Sequence, residues 1–271
     1  MLKWLLFIIG GALFYYWLKG KQQKKMAAER QKPIQAKQSQ PPKPQSIVRC
    51  QQCQVHLPQS EAITHEDRFY CSEPHLHSLD EQGWLGTALW RRSPNQDARP
   101  DGQVPELVVL HHISLPPGEF VKQTSTQFII DFFQNTLDRT LHPYFEEIAD
   151  QSVSSHFLIA RSGVVIQFVS ARDKAWHAGQ SSFMGREKCN DFSIGIELEG
   201  DSDHPFEEIQ YTALASLSTQ LQAAYPQLLF VGHSDIAPGR KKDPGEQFDW
   251  EKFQMQAKIP TEQLPSGLGR R

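Results

Sequence analysis

The chain has 271 residues, 28 Lys/Arg against 31 Asp/Glu, four cysteines and 39% hydrophobic residues. That length suffices for one sizeable core with appendages. Residues 1–49 carry ten basic side chains against one acid, leaving 18 basic and 30 acidic residues in 50–271. An acidic body excludes wrapping of nucleic acid, which relies on clustered Lys and Arg.

Residues 4–18, W-L-L-F-I-I-G-G-A-L-F-Y-Y-W-L, are an uninterrupted apolar and aromatic run of 15. A helix normally needs roughly 20 residues to cross a bilayer. Trp4 at one end and Tyr15, Tyr16 and Trp17 at the other suit the interfacial belts that help short spans. Lys19, Lys21, Lys24 and Lys25 follow, where a cleavable signal peptide would want small residues. The expectation is an uncleaved transmembrane anchor over 1–19 with the body of the chain in the cytoplasm. The rival signal-peptide reading puts the body outside. Residues 20–48, rich in Gln, Lys and Pro, read as a disordered basic linker.

A small module over 49–80 carries Cys50-x2-Cys53 and Cys71-x3-His75. Two ligand pairs, each presented by one turn, are what a tetrahedral structural zinc site needs. His56, His65 and His77 are alternatives for the fourth ligand. About 30 residues could not hold a core without a metal. The module resembles the small zinc knuckles that follow an N-terminal membrane anchor in short bacterial proteins, which implies no activity. It is also a candidate docking element for a protein partner.

From Gly83 the pattern becomes globular and runs to 258, with a loose tail over 259–271. Leu107–His111 reads as a buried strand ending in a histidine. Ser125–Leu137 has Phe128, Ile129, Phe132 and Phe133 at helical spacing. His156–Ala160 and Val164–Val169 are strands joined at Ser162-Gly163. Phe192–Glu199 alternates Ile194, Ile196 and Leu198 with Ser193, Gly195, Glu197 and Glu199, a strand with two unlike faces. Glu207–Tyr225 is an amphipathic helix, and Leu228–Val231 a short strand that delivers His233. The fold class is α/β, a mixed central sheet flanked by helices.

The stretch G-H-S-D-I-A-P-G-R-K-K-D-P-G, residues 232–245, offers His233 and Asp243 on a punctuated loop. His111, at the end of its own strand, completes a two-His-one-carboxylate set that suits zinc and leaves one position for water. Zinc lowers the pKa of such a water towards ~7. Hydrolysis then needs a base; Glu197 is the choice and Glu199, on the same face, the alternative. Lys241 is placed to stabilise a tetrahedral oxyanion. His156 and His177 compete as ligands, and Cys189 reads as an inert core thiol.

Residues 83–256 resemble the AmpD-type N-acetylmuramoyl-L-alanine amidases, of the zinc amidase and peptidoglycan-recognition fold. The segments that carry the resemblance are H-H-I-S-L-P-P-G-E-F (111–120), R-D-K-A-W-H-A-G (172–179), G-R-E-K-C-N-D-F-S-I-G-I-E-L-E-G (185–200) and the 232–245 stretch. The resemblance implies zinc at His111, His233 and Asp243, Glu197 as proton acceptor and Lys241 as the stabilising cation. It implies substrate contacts at Trp176 and Lys188, with His112 beside them. The implied substrate is 1,6-anhydro-N-acetylmuramyl peptide, cut between the lactyl group and L-alanine during wall recycling. The anchor lies outside the usual family architecture. Its flanking lysines, not the resemblance, give the expected location at the cytoplasmic face of the bacterial inner membrane, with the periplasm as the alternative if the signal-peptide reading holds. His112 stands where the family usually has Asn, Lys188 where it usually has Arg, and Ser152 where Arg is frequent. A muropeptide-binding or sensing protein without turnover is the other reading; its mark would be a lost zinc ligand, and none is lost.

Overall fold

The structure, a computed structural model, describes residues 2–30, 46–120 and 123–264. The chain forms two compact units, Met1–Gln45 and Ser46–Arg271. The first contains one helix, α1 (Leu2–Arg30), which runs through the expected anchor and on into the expected linker. Residues 31–45 of that linker lie outside the described residues. Among the described residues no helix is long and apolar enough to cross a membrane, so the expected transmembrane span is not found. Length is the physical reason. Fifteen apolar residues rise about 22 Å, against a hydrocarbon core of about 30 Å, and the helix continues through Lys19, Lys21, Lys24 and Lys25.

The second unit opens with two short hairpins, β1 (Ile47–Arg49) with β2 (His56–Pro58) and β3 (Ile63–His65) with β4 (Arg68–Tyr70). A one-turn helix, α2 (Glu73–Leu76), follows. Asp80 then accepts the backbone N–H groups of Gln82 and Trp84 at 3.0 and 2.8 Å and turns the chain into the main domain.

That domain contains β5 (Leu89–Trp90), β6 (Gln96–Ala98), β7 (Leu107–Ile113), α3 (Gln123–Phe133) and α4 (Pro143–Ile148). It continues with β8 (Phe157–Ile159), β9 (Val165–Gln167), β10 (Asp173–Ala175) and the small pair β11 (Ser182–Phe183) and β12 (Arg186–Glu187). It finishes with β13 (Ser193–Glu199), α5 (Glu208–Ala224), β14 (Leu229–Gly232), α6 (His233–Ile236) and α7 (Trp250–Ala257). Six strands form one sheet in the order β14-β7-β13-β8-β9-β5. Only β8 and β9 run antiparallel, so the sheet is mixed, as expected.

Burial explains the strand sequences. β7 is central, and Leu107–Leu110 are at most 1% exposed, the unbroken apolar run of a parallel strand covered on both faces. On one face Val108, Leu110, Ile194, Ile196 and Leu198 pack beneath Leu214, Leu221 and Phe253 of α5 and α7. On the other, Leu158, Ile166 and Phe168 meet Ile129, Phe133 and Phe145 of α3 and α4. α5 starts on a reciprocal capping box between Glu207 and Gln210. α3 stops short of the expected Leu137 because Asn135 takes a left-handed φ of 59°. The Thr136 N–H then closes onto the Asp131 carbonyl at 2.8 Å, a Schellman-type end. In the expected tail, Leu264 is buried, and residues 265–271 lie outside the described residues.

Candidate active site

Three adjacent parallel strands, β14, β7 and β13, end at one edge of the sheet. Their register pairs Glu197 with His111 and Gly232 with Leu110, so His233, the next residue, falls level with His111. Side chains alternate across a strand. Level residues on neighbouring strands therefore share a face, and His111 emerges beside Glu197.

His111 Nδ1 lies 2.9 Å from His233 Nδ1 and 3.0 Å from Asp243 Oδ2; His233 Nδ1 lies 2.9 Å from that same oxygen. Both histidines are buried. The loop carrying Asp243 is held against α6 by the Ser234 N–H, which donates to the Asp243 carbonyl at 3.0 Å.

The far ring nitrogens settle the tautomers. His233 Nε2 donates to the Ala178 carbonyl at 3.1 Å. Ser193 Oγ gives its proton to the Cys189 carbonyl at 2.6 Å, so His177 Nε2, 3.0 Å away, must donate to Ser193. His177 Nδ1 is then an acceptor, and His111 Nε2 donates to it at 2.9 Å. Both Nδ1 atoms are left as lone pairs facing a carboxylate oxygen. Three such atoms within 3.0 Å repel one another without a cation among them, and a two-nitrogen, one-oxygen set fits Zn²⁺. Burial pushes the His111 imidazole down to about 4, helped by His233 and Lys241 against Asp243, which keeps it neutral. Burial would raise Asp243, but its contacts with His111 and His233 hold it far below the usual carboxylate range.

Glu197 and Glu199 share a face of β13 and differ completely in their partners. Glu199 is saturated: it accepts Ser125 Oγ at 2.5 Å, Thr126 Oγ1 at 2.8 Å and the Arg161 N–H at 3.0 Å. Glu197 Oε2 is buried with no hydrogen-bond partner. Burial, then the nearby Asp243 charge, hold its carboxyl well above the ordinary range, with Lys241 pulling the other way. A buried, unpartnered carboxyl beside a metal-ligand set marks a candidate functional group.

Of the competing ligands, His177 sits behind His111 and His156 is engaged elsewhere. His156 Nδ1 accepts the Gly195 N–H at 2.9 Å, while Nε2 lies 3.1 Å from the Asp173 carbonyl. His177 can approach because Gly195 has no side chain: a Cβ there would lie 2.5 Å from the His177 ring. Sequence reasoning missed this arrangement; a glycine inside an otherwise well-formed strand was the available signal.

Lys241 is exposed, yet close enough to act on His111, His112 and Glu197. His112 alternates to the opposite face of β7 and lies 2.7 Å from Ser202 Oγ. Trp176 donates from Nε1 to Asp97 at 2.8 Å. Lys188 is exposed and left-handed, with φ 60°. Cys189 is fully buried, and burial raises its thiol pKa. In the module, Cys50, Cys53, Cys71 and His75 each place one donor atom within 4.8 Å of the others.

A mixed α/β sheet carrying a His₂Asp cluster beside an unpaired glutamate is the arrangement of a metal-assisted hydrolase. Residues 101–246 match the Amidase_2 family, N-acetylmuramoyl-L-alanine amidase, and the chain belongs to that family. It is 48% identical over 176 residues to the 1,6-anhydro-N-acetylmuramyl-L-alanine amidase AmpD of Haemophilus influenzae, covering 64% of this chain and 94% of that protein. Identity to the Escherichia coli AmpD is 49% over 179 residues, 65% of this chain and 96% of that one. The crystal structure of a selenomethionine AmpD derivative matches with a TM-score of 0.62 at 47% identity, over 65% of this chain and 97% of the other. The Cys50–His75 cluster precedes the family match.

Proposed function

We propose that this amidase hydrolyses the amide between the lactyl group of N-acetylmuramic acid and L-alanine in 1,6-anhydromuropeptides, as a step of peptidoglycan recycling. The convergence of His111, His233 and Asp243 beside the unpartnered Glu197 carries the reading. The near-complete coverage of relatives named for that substrate supports it.

His111, His233 and Asp243 would hold one Zn²⁺, which when bound supplies Lewis acidity and brings the pKa of water towards ~7. Glu197 takes the proton of the attacking water and returns it to the departing L-alanine nitrogen. Its Oε2 has no hydrogen-bond partner in the protein, which leaves it available to carry that proton between the two steps. The Lys241 ammonium offsets the negative charge that develops on the amide oxygen. His177 and Ala178 hold the two imidazoles in the tautomer that presents Nδ1. Trp176, Lys188 and His112 are proposed to contact the muropeptide.

Attachment to the bacterial inner membrane through residues 1–19, with the catalytic unit on the cytoplasmic side, is part of this proposal. The apolar run and the lysines that follow it support that placement.

The test is peptide release from purified anhydromuropeptide by the full-length protein. Release that stops with a chelator, returns with Zn²⁺ and is absent in Asp243→Ala is the expected result. Binding of the muropeptide by zinc-loaded protein without any release would overturn the hydrolytic reading.

A further inference from the structure

We propose that Cys50, Cys53, Cys71 and His75 form a second metal site, a closed tetrahedral Zn²⁺ site that pins the N-terminal module to the edge strand of the main sheet. The distances have the right scale. Cys53 Sγ lies 3.7 Å from Cys71 Sγ, Cys50 Sγ lies 3.7 Å from His75 Nδ1, and Cys71 Sγ lies 3.0 Å from the same nitrogen. Zn–S bonds near 2.3 Å and Zn–N bonds near 2.0 Å give tetrahedral edges of about 3.8 Å between sulfurs and about 3.5 Å between sulfur and nitrogen. All four cysteines of the chain are free thiols.

Local structure presents the ligands in pairs. Cys50 and Cys53 share the turn between β1 and β2, closed by the Cys50 N–H on the Val55 carbonyl at 2.9 Å and the Gln54 N–H on the Cys50 carbonyl at 3.0 Å. Cys71 and His75 flank the start of α2, where the His75 N–H reaches the Ser72 carbonyl at 3.1 Å. The Cys71 N–H points at Cys50 Sγ across 3.4 Å and ties one pair to the other. Four protein ligands fill a tetrahedron, so the site has no position for a substrate. It compensates for a missing core: within residues 46–78 the buried apolar side chains are Cys50, Tyr70 and Leu76.

The module's far side grips the main domain. Gly86 lies so close beneath α2 that a Cβ there would come within 2.1 Å of the Leu76 carbonyl oxygen. The Arg68 guanidinium donates to the Ala88 carbonyl at 2.8 Å and stacks 3.9 Å above the Trp90 ring. Trp90 belongs to β5, which ends the sheet opposite β14, so this metal lies away from the hydrolytic cluster and serves a separable purpose.

The test counts zinc in the full-length protein by elemental mass spectrometry. Wild type is expected to hold two Zn²⁺ per chain and Asp243→Ala one. Cobalt(II) loaded into Asp243→Ala is expected to show thiolate-to-metal charge-transfer absorption, which the added Cys53→Ser change removes. Cys53 is exposed, yet with its thiolate held by the metal its iodoacetamide labelling should be slow until a chelator is added. Hydrogen exchange at Leu85, Ala88 and Trp90 should quicken in Asp243→Ala/Cys53→Ser relative to Asp243→Ala alone. A single Zn²⁺ in wild type that vanishes in Asp243→Ala, or Cys53 labelling indifferent to chelator, would overturn the site. Unchanged exchange at those three residues would overturn the pinning. The hydrolytic assignment is unaffected by either result, because every cobalt and exchange measurement is made without its metal ligand Asp243.

Discussion

A buried carboxyl without a partner costs folding free energy, and Glu197 Oε2 is such a group. Its folded pKa lies above its unfolded value, so the fold prefers the protonated form. The stability this lends is complete below the unfolded value near 4.3 and is lost as pH rises through the folded one. Glu197→Gln keeps the shape and removes the charge. Urea melts of metal-free protein at pH 7 should therefore show Glu197→Gln more stable than wild type by about 1–3 kcal/mol. The same variant should retain its zinc and lose turnover by roughly 10²–10⁴-fold, as expected for a missing general base. In zinc-loaded wild type, kcat/KM should fall on acidification as Glu197 takes up its proton; the same acidic limb persisting in the residual activity of Glu197→Gln would point to another group. The alternation of Phe192–Glu199 could not separate Glu197 from Glu199, because both lie on one face. Ser125, Thr126 and the Arg161 N–H separate them, and these come from distant segments.

At the scale of the element, β13 does more than deliver a carboxylate. Ser193, Gly195 and Glu197 form one face as a hydroxyl, a gap and an acid, and the His177 ring occupies the gap. Gly195→Ala should push that ring aside and free the His111 tautomer. Zinc affinity should drop by about 10–100-fold, the usual effect of losing a partner behind a metal ligand, while circular dichroism stays native. Unaltered affinity, measured by competition with a chromogenic chelator, would show that His177 has no hold on His111. The strand ends carrying His111 and His233 were legible because apolar runs ended in histidine. The helix over residues 250–257 was not singled out, although Trp250, Phe253 and Ala257 have helical spacing and the Asp249 carboxylate caps the start by accepting the Lys252 N–H at 2.9 Å.

For the whole molecule, the division after Gln45 sets the N-terminal helix apart from the unit that holds the His111, His233 and Asp243 cluster. Deleting residues 1–45 should leave kcat/KM within about twofold, since the remaining unit holds its own core, and should abolish sedimentation with membranes. Loss of activity on deletion would show that the first unit takes part in hydrolysis. The composition of residues 1–49 made a distinct N-terminal segment visible, whereas the extent of α1 was not, because a Gln/Lys-rich sequence carries no apolar period to mark a helix. One feature of the sheet bears on how such a protein can diverge. Glu197 stands level with His111 through the ladder between β13 and β7, not through the 85 residues that separate them along the chain. Insertions in the connecting loops can therefore reshape what the cleft admits while leaving the reacting groups aligned. One residue inserted within β13 would instead turn Glu197 into the opposite layer of the protein.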